Sequence, residues 1–267
     1  MPEGHTLRRL ADQLNATFSG QEVQTSSPQG RFAESAALLD GAQFVAAESA
    51  GKHLLVDFEG DQLLHVHLGL YGKFLIKRGA STPPVGQVRL RVESETAFAD
   101  LRGPTACELW TPAEEAALLA RLGPDPLRED ADPTRAWERI RRSKAPIGAL
   151  LMDQSVLAGV GNVYRAEILF RHNLHPLRPG QALRRAQFVA MWDDLVALMA
   201  DGVRIGRIET VRAEHLDLVR ARDRRSYVYR RQGEPCRLCG TEIRTDVLVG
   251  RNLFWCPRCQ PAYRGRT

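Results

Sequence analysis

The chain has 267 residues, 43% of them hydrophobic and 26% charged, a composition ordinary for a soluble protein and a length that calls for two or three cored units. No apolar run reaches the roughly eighteen residues of a membrane-spanning helix, and no basic segment followed by an apolar one opens the chain. Neither a membrane span nor a signal peptide is thereby indicated, and a cytoplasmic location is expected.

In chain order, the first feature is MPEGHT. Removal of Met1, favoured by a small second residue, leaves Pro2 as a free secondary amine with Glu3 beside it. From Glu3 to Asn15, Leu7, Leu10, Ala11 and Leu14 recur at helical spacing and predict an amphipathic helix. LLVDF, LLHVHL, KFLI, VRLRV and the stretch around ACELW come next, separated by glycine, proline or charged turns, and predict a β-sandwich domain over residues 1–120. RLGPDPLREDADPT, residues 121–134, reads as a linker. Residues 135–225 are mostly helical, with AQFVAMWDDLVALMA the clearest amphipathic helix, and the tail 226–267 is short, cysteine-bearing and strand-like. The expected fold class is multidomain α+β.

The strongest chemical signal is CRLCGTEIRTDVLVGRNLFWCPRC, in which the pairs Cys236/Cys239 and Cys256/Cys259 are separated by sixteen residues. Each pair supplies two thiolates from one tight turn and the intervening length suits a hairpin, so one tetrahedral zinc ion, fully ligated by protein and hence structural, is expected. Arg251 precedes Leu253, Phe254 and Trp255, a positive charge near the tip of a packed hairpin; an ordinary surface arginine is the alternative. In PIGALLMDQSVLAGVGNVYRAEILFRHN an apolar helix is expected to end near Asp153 or Gln154. Asn162 then suits the cap of a new helix, and Gly159 and Gly161 let backbone amides approach an anion such as a DNA phosphate.

Three further places have two readings each. Lys52 stands where a turn enters a strand, solvated or bound to an anion. His65 and His67 share a strand face, but no third ligand lies nearby in the sequence, so polar strand residues are preferred to a metal site. Leu70 and Tyr71, between Gly69 and Gly72, are either core packing or a wedge for a base stack. Between Arg204 and Arg231 nine arginines face four acids; a solvated face is preferred there over a phosphate surface.

Taken together, MPEG, the Gly-Lys at a hairpin turn, VGN-x-YR-x-E and a zinc finger containing GR-x-x-x-WC resemble the Fpg/Nei family of bifunctional DNA glycosylases over nearly the whole chain. Leu70 and Tyr71, with MPEG, are nearest the endonuclease VIII branch. The resemblance implies an N-terminal β-sandwich preceded by a catalytic helix, a helical helix-two-turn-helix domain and a C-terminal zinc-finger β-hairpin. It implies Pro2 as nucleophile, Glu3 as acid/base partner, and Lys52, Asn162 and Arg251 as ligands of phosphates flanking a lesion. Leu70 and Tyr71 would fill the gap left by an extruded nucleotide. Damaged DNA, double-stranded or bubble and single-stranded, is the implied partner of a nucleoid-associated monomer, and removal of oxidised bases, pyrimidines first, with β/δ-elimination is the implied activity. Oxidised-purine specificity and a non-enzymatic zinc-ribbon DNA-binding protein are the alternatives. The sequence departs from the family pattern at His5 and Thr6, and at Gly69 in place of a larger polar residue.

Overall fold

The computed structural model describes residues 2–219 and 225–264. They fall into two compact units, one ending at Arg121 and the other beginning at Leu122.

The first unit opens with α1 (Gly4–Phe18), which buries Leu7, Leu10, Ala11, Leu14 and Phe18 on one face, the stripe that a period of about 3.6 produces. Two four-stranded antiparallel sheets form the sandwich. One is ordered β2 (Phe44–Ala50), β3 (His53–Phe58), β4 (Gln62–His67), β8 (Ala106–Trp110). The other is ordered β1 (Gln24–Ser26), β6 (Val88–Glu93), β7 (Ala97–Arg102), β5 (Lys73–Arg78). The short α2 (Ala33–Leu39) follows β1, and α3 (Pro112–Arg121) closes the unit. All five strand segments expected from sequence lie in β3, β4, β5, β6 and β8, whereas β1, β2 and β7 carry no such signal. In β2 and β7 the inward positions include Ala47, Ala97 and Ala99, small residues with little period-2 contrast that are nevertheless buried.

Helix α1 lies against β2, β3 and β5. Asn15 fixes its direction: the side-chain amide donates to the Ala47 carbonyl at 2.8 Å and its oxygen accepts the Ala47 N–H at 2.6 Å, while the Phe18 and Phe44 rings meet at 5.8 Å. Helix and strand therefore run in opposite senses. Going back along α1 from Asn15 to Glu3 and forward along β2 from Ala47 to Lys52 covers similar lengths, about 18 Å and about 17 Å. The head of the helix and the β2–β3 turn lie toward the same end of the sheet.

The second unit contains α4 (Pro133–Ile140), the single turn α5 (Ile147–Leu150), α6 (Asn162–Arg171), α7 (Arg185–Ile205) and the hairpin β9 (Arg244–Leu248) with β10 (Arg251–Trp255). Asp132 caps α4 by accepting the Thr134 N–H at 2.9 Å, with Pro133 in the first turn. The apolar helix expected to reach Asp153 is only one turn long, because Gln154 organises the loop between α5 and α6. Its amide donates to the carbonyls of Met152 and Val160 and its oxygen accepts the Gly159 N–H, all at 3.0 Å.

Glu167, with no exposed surface, ties α6 to the segment entering the finger. It accepts the backbone N–H groups of Tyr227, Val228 and Tyr229 at 2.7, 2.9 and 2.8 Å and the Thr210 hydroxyl. Four donors make a buried carboxylate tolerable. No helix among the described residues is long and apolar enough to cross a membrane.

Candidate functional site

In the first unit Pro2 is half-buried and Glu3 is wholly buried at the N-cap of α1, its carbonyl accepting the Thr6 N–H at 2.8 Å. The dipole of a helix start favours an anion and opposes a cation. Behind Pro2 and Glu3, burial and then the positive amino terminus push His5 down to about 4, so this ring is neutral at physiological pH.

Lys52 occupies the two-residue β2–β3 turn with Gly51, whose φ of 59° is the left-handed conformation such a turn demands. The strand register sets His53 opposite His67, which brings Lys52 to the same sheet end as the β4–β5 turn. His53 is also the third histidine that the sequence did not place near His65 and His67. Its Nδ1 lies 2.8 Å from His65 Nε2, and the His65 ring stacks on Trp110 at 3.6 Å. Burial above all lowers His53 to about 3 and His65 to about 4. The histidines make a neutral hydrogen-bonded sheet face, and among the described residues only the four cysteines converge as a metal-ligand group.

Leu70 and Tyr71 are not core residues. They are 42% and 85% exposed on the turn between β4 and β5, beside Gly69 at φ 65°. Cys107, by contrast, is buried among the sandwich side chains, and burial pushes its thiol up to about 12, which makes it inert.

In the second unit the structure brings Asn162 and Arg251 onto neighbouring elements. Asn162 is the first residue of α6, not its cap: Gly161 holds the cap position without a side-chain bond. The Asn162 amide is used elsewhere, donating to the Asn252 carbonyl at 3.0 Å, while its oxygen accepts from Arg165 Nη2. Arg165 Nη2 also donates to the Asn252 carbonyl at 2.9 Å. Two side chains of α6 thus hold the residue next to Arg251, which begins β10 opposite Leu248 and is exposed. Arg165, wholly buried, is a positioning residue; the VGN-x-YR-x-E motif contains it, three residues after Asn162 on the same helix face, but the sequence gives it no role.

Of the nine arginines between Arg204 and Arg231, Arg220, Arg222 and Arg224 lie outside the described residues, as does Asp223. Arg204, Arg207, Arg212 and Arg231 pair with Asp201, Glu209, Glu214 and Glu234 respectively, so much of this charge is balanced locally.

The four cysteine sulfurs lie within 4.8 Å of one another, with Cys236–Cys259 at 3.9 Å and Cys239–Cys256 at 3.5 Å. A tetrahedral ion with Zn–S near 2.3 Å sets sulfurs about 3.8 Å apart, so the residues fit one structural zinc. Burial pushes the Cys236 and Cys259 thiols up, a cost that a bound dication offsets. Around them Phe254 and Ile243 pack with Ala166 and Phe170 of α6. Strong chelation is expected to release one zinc per chain and to abolish the near-ultraviolet dichroism of this aromatic cluster; dichroism that survives complete zinc loss would show that the hairpin folds without metal.

A sandwich headed by a helix, a helical segment and a four-cysteine hairpin together define a class of DNA-repair fold. The sequence matches the family described as "Formamidopyrimidine-DNA glycosylase N-terminal domain" over residues 1–107. It matches "Formamidopyrimidine-DNA glycosylase H2TH domain" over 122–213 and "Zinc finger found in FPG and IleRS" over 233–262. It is 54% identical over 267 residues to Endonuclease 8 1 of Mycobacterium tuberculosis, covering 97% of this chain and 100% of the relative. It is 34% identical over 280 residues to the formamidopyrimidine-DNA glycosylase of Parasynechococcus marenigrum, covering 97% and 99%. The fold matches a Lactococcus lactis Fpg solved with abasic-site DNA at a TM-score of 0.80 and 22% identity, covering 97% and 100%. The chain belongs to the Fpg/Nei family of DNA glycosylases.

Proposed function

We propose that the protein is a base excision repair glycosylase and AP lyase that removes oxidised bases, pyrimidines in preference, through a covalent iminium (protonless Schiff-base cation) on Pro2. The observation that carries this reading is Pro2 and buried Glu3 at the head of α1, toward the sheet end that carries Lys52 and the exposed Leu70–Tyr71 turn. The pyrimidine preference rests on Leu70 and Tyr71, which resemble the endonuclease VIII branch.

A base inside a duplex is out of reach, so the nucleotide is extruded, and Leu70 and Tyr71 fill the stack it leaves. The Pro2 amine attacks C1′ of the deoxyribose and the base departs. The opened sugar then carries an iminium which, being formed from a secondary amine, is cationic without a proton. That electron sink acidifies the C2′ hydrogen, and the 3′ and then the 5′ phosphate are eliminated. Glu3, one residue from the nucleophile, moves the protons. Lys52, Arg251 and the second N–H of the Asn162 amide, whose first is held by the Asn252 carbonyl, bind the flanking phosphates, and zinc keeps the Arg251 hairpin folded without entering the chemistry. The working form is a monomer in the cytoplasm, on the nucleoid.

Borohydride trapping on oligonucleotides carrying oxidised pyrimidines, oxidised purines, hydantoins or abasic sites tests the reading. A covalent adduct is expected, fastest with oxidised pyrimidines; faster trapping on purines would reverse the preference, and no adduct with any substrate would leave a DNA-binding protein only. Arg251→Ala is expected to weaken lesion-DNA binding by about tenfold to a hundredfold, the range for a hydrogen bond to a charged group, with zinc content unchanged. Equal affinities would remove Arg251 from the phosphate contacts. Binding is also expected to fall steeply with salt as counterions compete for the phosphates.

A further inference from the structure

Two turns of the first unit nest against each other. One joins β4 to β5 and carries Gly69, Leu70 and Tyr71; the other joins β7 to β8 and carries Gly103, Pro104 and Thr105. The Thr105 N–H donates to the His67 carbonyl at 2.8 Å. Gly69 approaches so closely that a Cβ on it would lie 1.9 Å from Thr105 Oγ1 and 3.2 Å from Thr105 Cβ. The Thr105 hydroxyl therefore stands where a side chain at position 69 would begin. The residue is exposed, and its neighbours Leu70 and Tyr71 project from the facing turn.

We infer that Thr105 supplies the hydrogen bond to the base left unpaired opposite the extruded nucleotide, an inference that rests on Leu70 and Tyr71 acting as the wedge. Extrusion strips that base of its pairing partner. Leu70 has no polar atom to replace the lost bond, and Tyr71 carries its hydroxyl at the far end of the ring. A hydroxyl at the root of the wedge meets the need, and by rotating about one bond it either donates or accepts. Such a group serves purine and pyrimidine edges alike, in contrast to the fixed pattern of an arginine or an amide. The chemistry recognised is thus the Watson–Crick edge of any base, and the consequence is tolerance of all four opposite bases.

Thr105→Val keeps the shape and removes the hydroxyl; Thr105→Ser keeps the hydroxyl. Excision is measured as kcat/KM on duplexes in which the lesion that the wild-type protein processes fastest stands opposite A, C, G, T or a stable tetrahydrofuran abasic analogue. Thr105→Val is expected to lose about three- to tenfold opposite every base, the worth of one hydrogen bond, and nothing opposite tetrahydrofuran, while Thr105→Ser stays near wild type. Equal activity of Thr105→Val and wild type opposite all four bases would overturn the assignment. So would an equal loss opposite tetrahydrofuran, which would make Thr105 a packing residue. The pair Leu70→Ala with Tyr71→Ala separates this failure from failure of the wedge itself. If the double variant processes duplex as well as wild type, the wedge reading falls and the role of Thr105 with it. If it loses duplex activity while Thr105→Val is neutral, only the Thr105 assignment falls.

Discussion

A chain that keeps Met1, or carries a tag ahead of Pro2, is expected to form no borohydride adduct and to leave lesion and abasic strands uncut. The reason is chemical before it is structural. Acylated by a preceding residue, the proline nitrogen becomes an amide with no basic lone pair, and no iminium can form. α-Amino groups titrate near 8 in reference peptides, against about 10.4 for a lysine side chain, so a terminal amine is the better candidate for an unprotonated nucleophile at neutral pH. Its place before the first turn of α1 disfavours the cationic form further. Binding to duplex DNA is expected to survive in the blocked protein, because Asn162 and Arg251 belong to α6 and β10. Trapping by a chain shown by mass to retain Met1 would remove Pro2 as nucleophile and turn attention to Lys52.

The range of each interaction decides whether the sequence discloses it. The four cysteines were legible because each pair sits in one tight turn and the hairpin between them is continuous in sequence. The strands β3 to β6 and β8 were legible from their apolar residues. Arg165 and Glu167 stand in the VGN-x-YR-x-E motif, but their partners were not legible: Arg165 reaches Asn252 and Glu167 reaches Tyr227, Val228 and Tyr229. Partners sixty and more residues downstream leave no local pattern. The same distance explains Asn162, whose residue type suits a cap but whose amide is spent on the Asn252 carbonyl instead. Gly69 looks in sequence like a missing wedge side chain, yet Thr105, from a turn more than thirty residues away, stands in its place.

Glu3→Gln is expected to divide the two halves of the reaction. The carboxylate is wholly buried at the N-cap of α1, with extended backbone at φ −125° and ψ 179°, and its own carbonyl holds the Thr6 N–H. Glutamine fits the same space and leaves those backbone bonds intact, so the substitution changes charge and proton transfer rather than the fold. Losing an intact base requires protons to move around the sugar and its leaving group, and an amide cannot carry them. At an abasic site the base has already gone and part of the sugar is an open aldehyde, with which the Pro2 amine condenses directly. Excision of an oxidised pyrimidine is therefore expected to fall a hundredfold or more, within the range of about 10² to 10⁴ for general acid–base catalysis, while abasic DNA is still nicked and trapped. Parallel single-turnover assays on an oxidised-pyrimidine duplex and an abasic duplex, with both proteins confirmed to lack Met1, measure the two halves separately. If both rates fall by the same factor, Glu3 serves to place Pro2 rather than to release the base, and the proton donor must be sought in another residue of the first unit.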